Sequence, residues 1–195
     1  MGISSEVKSA LGEMPDRLER VFRLIPTAYL NWTPDSWEGI PGELFSAIGQ
    51  ACHLRDIEID GYHLRIKRVL AEEHPSLVSL DGYELAKQRH YEAANPAEVI
   101  AAFRQARETT LELIKTISDG QLNRPATFGE FGRITLKGMI YFLCSHDQRH
   151  LASVHWLLGK IESLSVDHCA LQPDHPHSFS SLSGRETAER LEVEK

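Results

Sequence analysis

The chain has 195 residues, 42% hydrophobic and 25% charged, the balance of a globular protein large enough for one domain with a real core. A formal net charge of -7, with scattered arginines and lysines, gives no electrostatic footprint for nucleic acid or for an anionic membrane surface. Cys52, Cys144 and Cys169 form no CxxC pair, which argues against a disulfide framework and suits a reducing cytoplasm. Residues 1–20 lack the apolar core of a signal peptide, Glu6 spoils a myristoylation signal after Gly2, and no apolar run reaches the length of a membrane span.

The pattern is helical nearly throughout. Val7, Leu11, Met14, Leu18, Val21, Phe22 and Ile25 recur at helical spacing and predict a first helix. Pro15 either kinks it or marks the start of its main section, and Pro26 ends it. A connection rich in Trp, Pro and Gly follows from Thr27 to Gly42, with Trp32 and Trp37 set to pack over one end of the fold or to line a pocket mouth. A second helix is expected from about Glu43 to Glu72. Leu44, Ile48, Cys52, Ile59, Tyr62, Ile66 and Val69 form one apolar stripe, and Leu54, Ile57 and Leu64 lie on a second side that also carries His53. Apolar residues on two sides suit a central helix or one that meets a partner subunit.

Residues 74–94 read as a crossover with one short helix after Asp81. Asn95-Pro96 supplies a cap and a proline at the first position of a third helix, which carries Val99, Ile100, Phe103, Ala106, Thr110, Leu113, Ile114 and Ile117 and stops at Gly120. Thr127-Phe128-Gly129-Glu130-Phe131-Gly132 predicts a short hairpin or turn. Thr135 caps the fourth helix and Gly159 ends it. Residues 163–195 read as a polar tail, with a last helical turn around Thr187–Val193, beside a domain of residues 1–162. Four long helices with one long crossover give an all-α four-helix bundle, a fold that builds metal sites from inward side chains.

His146 and His150 carry the chemistry. A helix turns about 100° per residue, so a four-residue step brings both imidazoles to one azimuth. Met139, Phe142, Leu143 and Leu157 share that face. A buried ring nitrogen without a partner costs roughly 1–3 kcal/mol, and a divalent metal removes the cost because neutral imidazole is a common ligand. A lone histidine on an apolar face is more often a satisfied core residue, so the pair needs a third ligand. His155 points away from His146 on the same helix. His53 and His63 lie on the second helix but cannot share a face. Asp56, one turn beyond His53, is a candidate to orient its second ring nitrogen, against the plainer reading of a solvated carboxylate.

Trp37 ahead of the second helix, His53-Leu54-x-Asp56-x-Glu58, Gly132-Arg133-Ile134-Thr135 before the last helix and His146-x-x-x-His150 together resemble the DinB-like superfamily, which includes the YfiT-type metal-dependent hydrolases and thiol transferases. The resemblance covers about residues 10–160. It implies an up-down-down-up bundle, a homodimer, and a metal, zinc or nickel, held by His53, His146 and His150. Three nitrogens with an open position make a catalytic rather than a structural site.

The resemblance further implies hydrolysis of a small-molecule substrate or transfer of a low-molecular-weight thiol such as bacillithiol or mycothiol. Arg149, Arg133 and Arg55 are the candidates for the polar groups of such a thiol, each also readable as a surface arginine. Cys52 and Cys144 read as packing residues. His146-Asp147-Gln148-Arg149-His150 is close to the HExxH motif of zinc peptidases but has Asp147 where that motif has Glu, and its third ligand would have to come from His168, His175 or His177 in the tail. Those three also read as ordinary tail residues or weak adventitious ligands, and His74 and His90 as solvated. A stress-related metal-binding protein or dimeric scaffold without enzymatic activity is the reading from a different class.

Overall fold

A computed structural model describes residues 2–40 and 42–170. Helix α1 spans Ser5–Phe22, with the Ser4 hydroxyl accepting from the Val7 amide at its start. It runs through the buried Pro15 and ends before Pro26. The second long helix begins at Ala47 rather than Glu43, because Ser46 supplies the cap through the Gly49 amide. It comprises α2 (Ala47–Asp56), a π-helical turn (Ile57–Tyr62) and α3 (His63–Ala71).

The π turn holds one more residue than an α turn, so it shifts the phase of everything beyond it. This corrects the expected stripe. Ile59 lies 40% exposed, whereas Glu58 is buried. Leu54 and Ile57 are core residues, and of that second side only Leu64 faces outward.

The crossover contains β1 (Ser76–Leu77) and α4 (Gly82–Gln88), the latter capped by Asp81 on the amides of Tyr83 and Glu84. Helix α5 (Pro96–Thr116) starts at the expected Asn95 cap, whose side chain accepts from the Ala97 amide at 3.0 Å. It stops at Thr116, four residues ahead of Gly120, because the Ser118–Gln121 capping box opens the separate short helix α6 (Asp119–Leu122). Strands β2 (Pro125–Phe128) and β3 (Arg133–Thr135) form the expected hairpin, and β1 adds a parallel edge to β2. Thr135 caps α7 (Leu136–Ala170) through the Gly138 amide. That helix passes through Gly159, which does not take the positive φ of a terminating glycine and so imposes no stop. The expected tail elements at His175, His177 and Thr187–Val193 lie outside the described residues.

Side-chain pairings fix the directions. Arg104 on α5 meets Asp16 and Glu19 of α1, while Leu111 lies at Gly12, so α1 and α5 are antiparallel. Gln50 meets His150 and His53 meets His146, so α2 and α7 are antiparallel. Asp56 meets Tyr91 just ahead of α5, and His63 meets Ala106, so the second and third long helices run parallel, as a long crossover requires. The result is an up-down-down-up four-helix bundle.

Two apolar clusters fill it. One gathers Leu18, Ile48, Phe103 and Leu157; the other gathers Leu11, Ile66, Ile114 and Met139. Each long helix leaves the first cluster and enters the second across a polar layer. That layer contains His53, Glu58, Arg107, Thr110, Asp147 and His150, all buried. No described helix is long and apolar enough to cross a membrane.

A three-histidine cluster at the floor of a cavity

The fold brings His53 from α2 against His146 and His150 from α7. The Nε2 atoms of His53 and His146 are 3.2 Å apart, and those of His150 and His146 are 3.1 Å apart. One ring nitrogen from each residue falls within 4.8 Å of the other two. His53 and His150 are buried, and His146 is partly open to a cavity of about 550 Å³.

Burial, the largest effect, holds all three imidazoles below the ordinary histidine pKa, and for His146 and His150 well below it. They are therefore neutral at pH 7, the form that donates a lone pair. The Gln50 side-chain oxygen accepts from His150 Nδ1, which fixes the tautomer and turns the Nε2 lone pair toward the other two rings. Gln50 is itself held by its amide nitrogen, which donates to the backbone oxygens of Glu43 and Phe45 at 2.9 and 3.2 Å.

The donor set fits a divalent ion. Nitrogens at about 2.0–2.1 Å from a tetrahedral zinc stand about 3.3–3.4 Å apart, and cis nitrogens of an octahedral ion about 3.0 Å apart. The two observed separations fall between these values, so they suit either geometry. The Nδ1 atoms of His53 and His146 are buried without a hydrogen-bond partner. Asp56 does not orient His53. Its carboxylate is taken by Arg55 at 2.6 Å, Arg89 at 2.9 Å and the Tyr91 hydroxyl at 2.8 Å, which draw it to the other side of the helix.

Four contributors were not visible as site residues in the sequence. Glu43, ahead of α2, places its two carboxylate oxygens 3.5 Å from His53 Nε2 and 3.6 Å from His150 Nε2. Gln50 is the orienting group of His150. Gly82 opens α4 against His53, where a Cβ would stand 2.7 Å from the ring Cε1. Arg107 lies beneath the cluster, binding Glu58 at 2.8 and 2.9 Å, Asp147 at 2.6 Å and the Leu11 carbonyl at 2.9 Å. Burial pushes the Asp147 carboxyl up to about 6 against the pull of Arg107. Glu43, one turn ahead of a capped helix that carries His53, was the one with a usable sequence signal.

The Arg107 pairing removes the zinc-peptidase reading, because the Asp147 carboxylate points into an ion pair and not toward the cavity. His63 donates to the Ala106 carbonyl at 3.0 Å, and His155 bonds the Leu151 carbonyl at 2.9 Å, so neither joins the cluster. Burial raises the thiol pKa of Cys52 to about 11 and also raises that of Cys144, which fits two packing thiols. The cavity wall includes Ser79 and Leu80 of the crossover and Phe128 and Phe131 of the hairpin, but no described residue of the tryptophan connection. Trp37 instead stacks on Trp156 at 5.2 Å, and Trp32 packs on the first apolar cluster. Of Arg55, Arg133 and Arg149, Arg149 alone lines the cavity.

Fold and site define a four-helix bundle with a three-histidine cluster opening on a cavity. The family model of the DinB superfamily matches residues 10–154, and the chain belongs to that superfamily. Among solved structures it is similar to YfiT from Bacillus subtilis, with a TM-score of 0.71 and 22% identity over 83% of this chain and 91% of that one. That protein is described as a probable metal-dependent hydrolase with an unusual four-helix bundle topology. No curated protein matches the chain.

Proposed function

We propose that the chain is a metal-dependent enzyme in which His53, His146 and His150 hold one zinc or nickel ion, and that it carries out hydrolysis or the transfer of a low-molecular-weight thiol. One observation carries this reading: three neutral imidazoles converge through facing nitrogens at the floor of a cavity large enough for a small molecule. A metal held there would supply Lewis acidity and lower the pKa of a bound water or thiol. The chain's own residues do the rest. Gln50 fixes the His150 tautomer, Arg107 anchors α7 through Asp147, and Glu43 sets a carboxylate beside the open face of the cluster, where it can accept a proton. Phe128, Phe131 and Phe142 give the cavity an aromatic wall.

The homodimer belongs to the same reading and is supported by Ile59, Leu64 and Val78, which lie exposed around the second long helix. A cytoplasmic setting is supported by the free thiols of Cys52 and Cys144. The test is to strip the protein with chelator, reload it with zinc or nickel, and assay ester hydrolysis and the addition of thiols to electrophiles. Turnover that needs the metal and is lost in His146→Ala is the expected result. Stoichiometric metal without turnover of either class would favour the metal-binding scaffold.

A further inference from the structure

Two arginines in the cavity wall lack a counter-ion among the described residues. Arg65 is only 6% exposed, yet no carboxylate among the described residues pairs with it. Its Nε and Nη2 donate to the Val78 carbonyl at 3.3 and 3.0 Å, and its guanidinium lies over the rings of Phe128 and Tyr62 at 4.6 and 5.3 Å. A carbonyl satisfies donors but leaves the charge uncompensated, and a buried charge without a partner is costly. The contrast inside the same molecule is Arg107, also buried, which holds two carboxylates.

Arg65 is also given room to stay. A Cβ on Gly61 would stand 2.8 Å from its Nη1, so the glycine in the π turn leaves space for the guanidinium. Arg149 lines the same cavity, is exposed, and has no ion-pair partner among the described residues. Its charge reaches all three histidines. Among the described residues Glu43 is the one acid in the lining, and the rest of the wall includes Tyr62, Leu80, Phe128, Phe131 and Phe142.

We infer that the cavity takes a small organic anion, its carboxylate or phosphate-type group held by Arg149 in the field of Arg65 and its flat apolar body laid against Phe128, Phe131 and Phe142. The placement of such a molecule over the histidine cluster for reaction rests on the proposed metal centre; its binding does not. A guanidinium matches a two-oxygen anion by paired N–H donors, and an aromatic wall accepts a planar body without demanding further hydrogen bonds.

The test uses the full chain freed of metal by chelator, titrated calorimetrically with 3-phenylpropionate, phenylphosphonate and the neutral 3-phenylpropanol. One or both anions are expected to bind at least about tenfold more tightly than the alcohol, the preferred anion identifying the acid group. Arg149→Gln, an exposed change, should remove that preference with an unchanged melting temperature, and Arg65→Lys should weaken it. Equal affinity for anions and alcohol, no binding of any probe, or a preference untouched by Arg149→Gln would overturn the inference. Anion preference in a protein that takes up no zinc or nickel would leave the anion site standing and remove the metal reading, so the two fail separately.

Discussion

Gly82→Ala should weaken metal binding although Gly82 is no ligand. The added Cβ would stand 2.7 Å from His53 Cε1 and 2.9 Å from Nδ1. Favourable carbon contacts begin at about 3.5 Å, so the ring must retreat by about 0.8 Å. Metal–nitrogen distances tolerate about 0.2 Å, and disturbing a group that supports a ligand costs about 10–100-fold in affinity, or about 1.4–2.7 kcal/mol. The expected outcome is a loss of that size in a competition titration against a chromophoric chelator, with the helical circular dichroism retained. Gly159→Ala is the control: a Cβ there meets nothing, so it should leave affinity alone and raise stability by about 0.5–1 kcal/mol. Wild-type affinity in Gly82→Ala would mean that α4 gives way rather than His53, and would refute a positioning role for Gly82.

Three more expectations follow from the polar layer and the caps. In metal-free protein the folded histidines are held below their ordinary pKa of 6.5, so below that pH the unfolded chain binds more protons. Their contribution is present above about pH 6.5 and is lost as pH falls. Asp147, raised from 3.8 to about 6, works in the opposite sense, its penalty being relieved as pH falls through about 6. With three histidines set against one carboxylate, urea melts should show a net loss of stability from about pH 7.5 to about pH 5.5; a flat profile would contradict this. Arg107→Met leaves Glu58 and Asp147 buried without their cation and should destabilise by about 3–5 kcal/mol in urea, much of it recovered by adding Glu58→Gln and Asp147→Asn. Asn95→Ala removes the α5 cap and should cost about 1 kcal/mol by the same assay.

The parts of this molecule legible in its sequence are those written in local spacing. The His146–His150 step, the Asn95-Pro96 start, the short helix after Asp81, the Thr135 cap and the hairpin glycines each act within a few residues, and each is found where its spacing puts it. The π turn was not legible, because one added residue in a helical turn leaves no compositional mark, yet it turns Ile59 outward and Glu58 inward. The Arg107 network was not legible either. Its partners come from α1, the π turn and α7, and each acid alone reads as a surface charge. Asp56 failed as the partner of His53 for a related reason: helical spacing gave its distance along the chain, while Arg55, Arg89 and Tyr91 decided its direction.

The central claim is that the three histidines form a metal centre. It is tested most directly by metal analysis of untagged protein beside His53→Ala and His146→Ala. The account requires about one zinc or nickel ion per chain in the wild type and almost none in either variant. A wild type that takes up no metal even when incubated with both ions would contradict it and make the imidazoles a polar layer of the core.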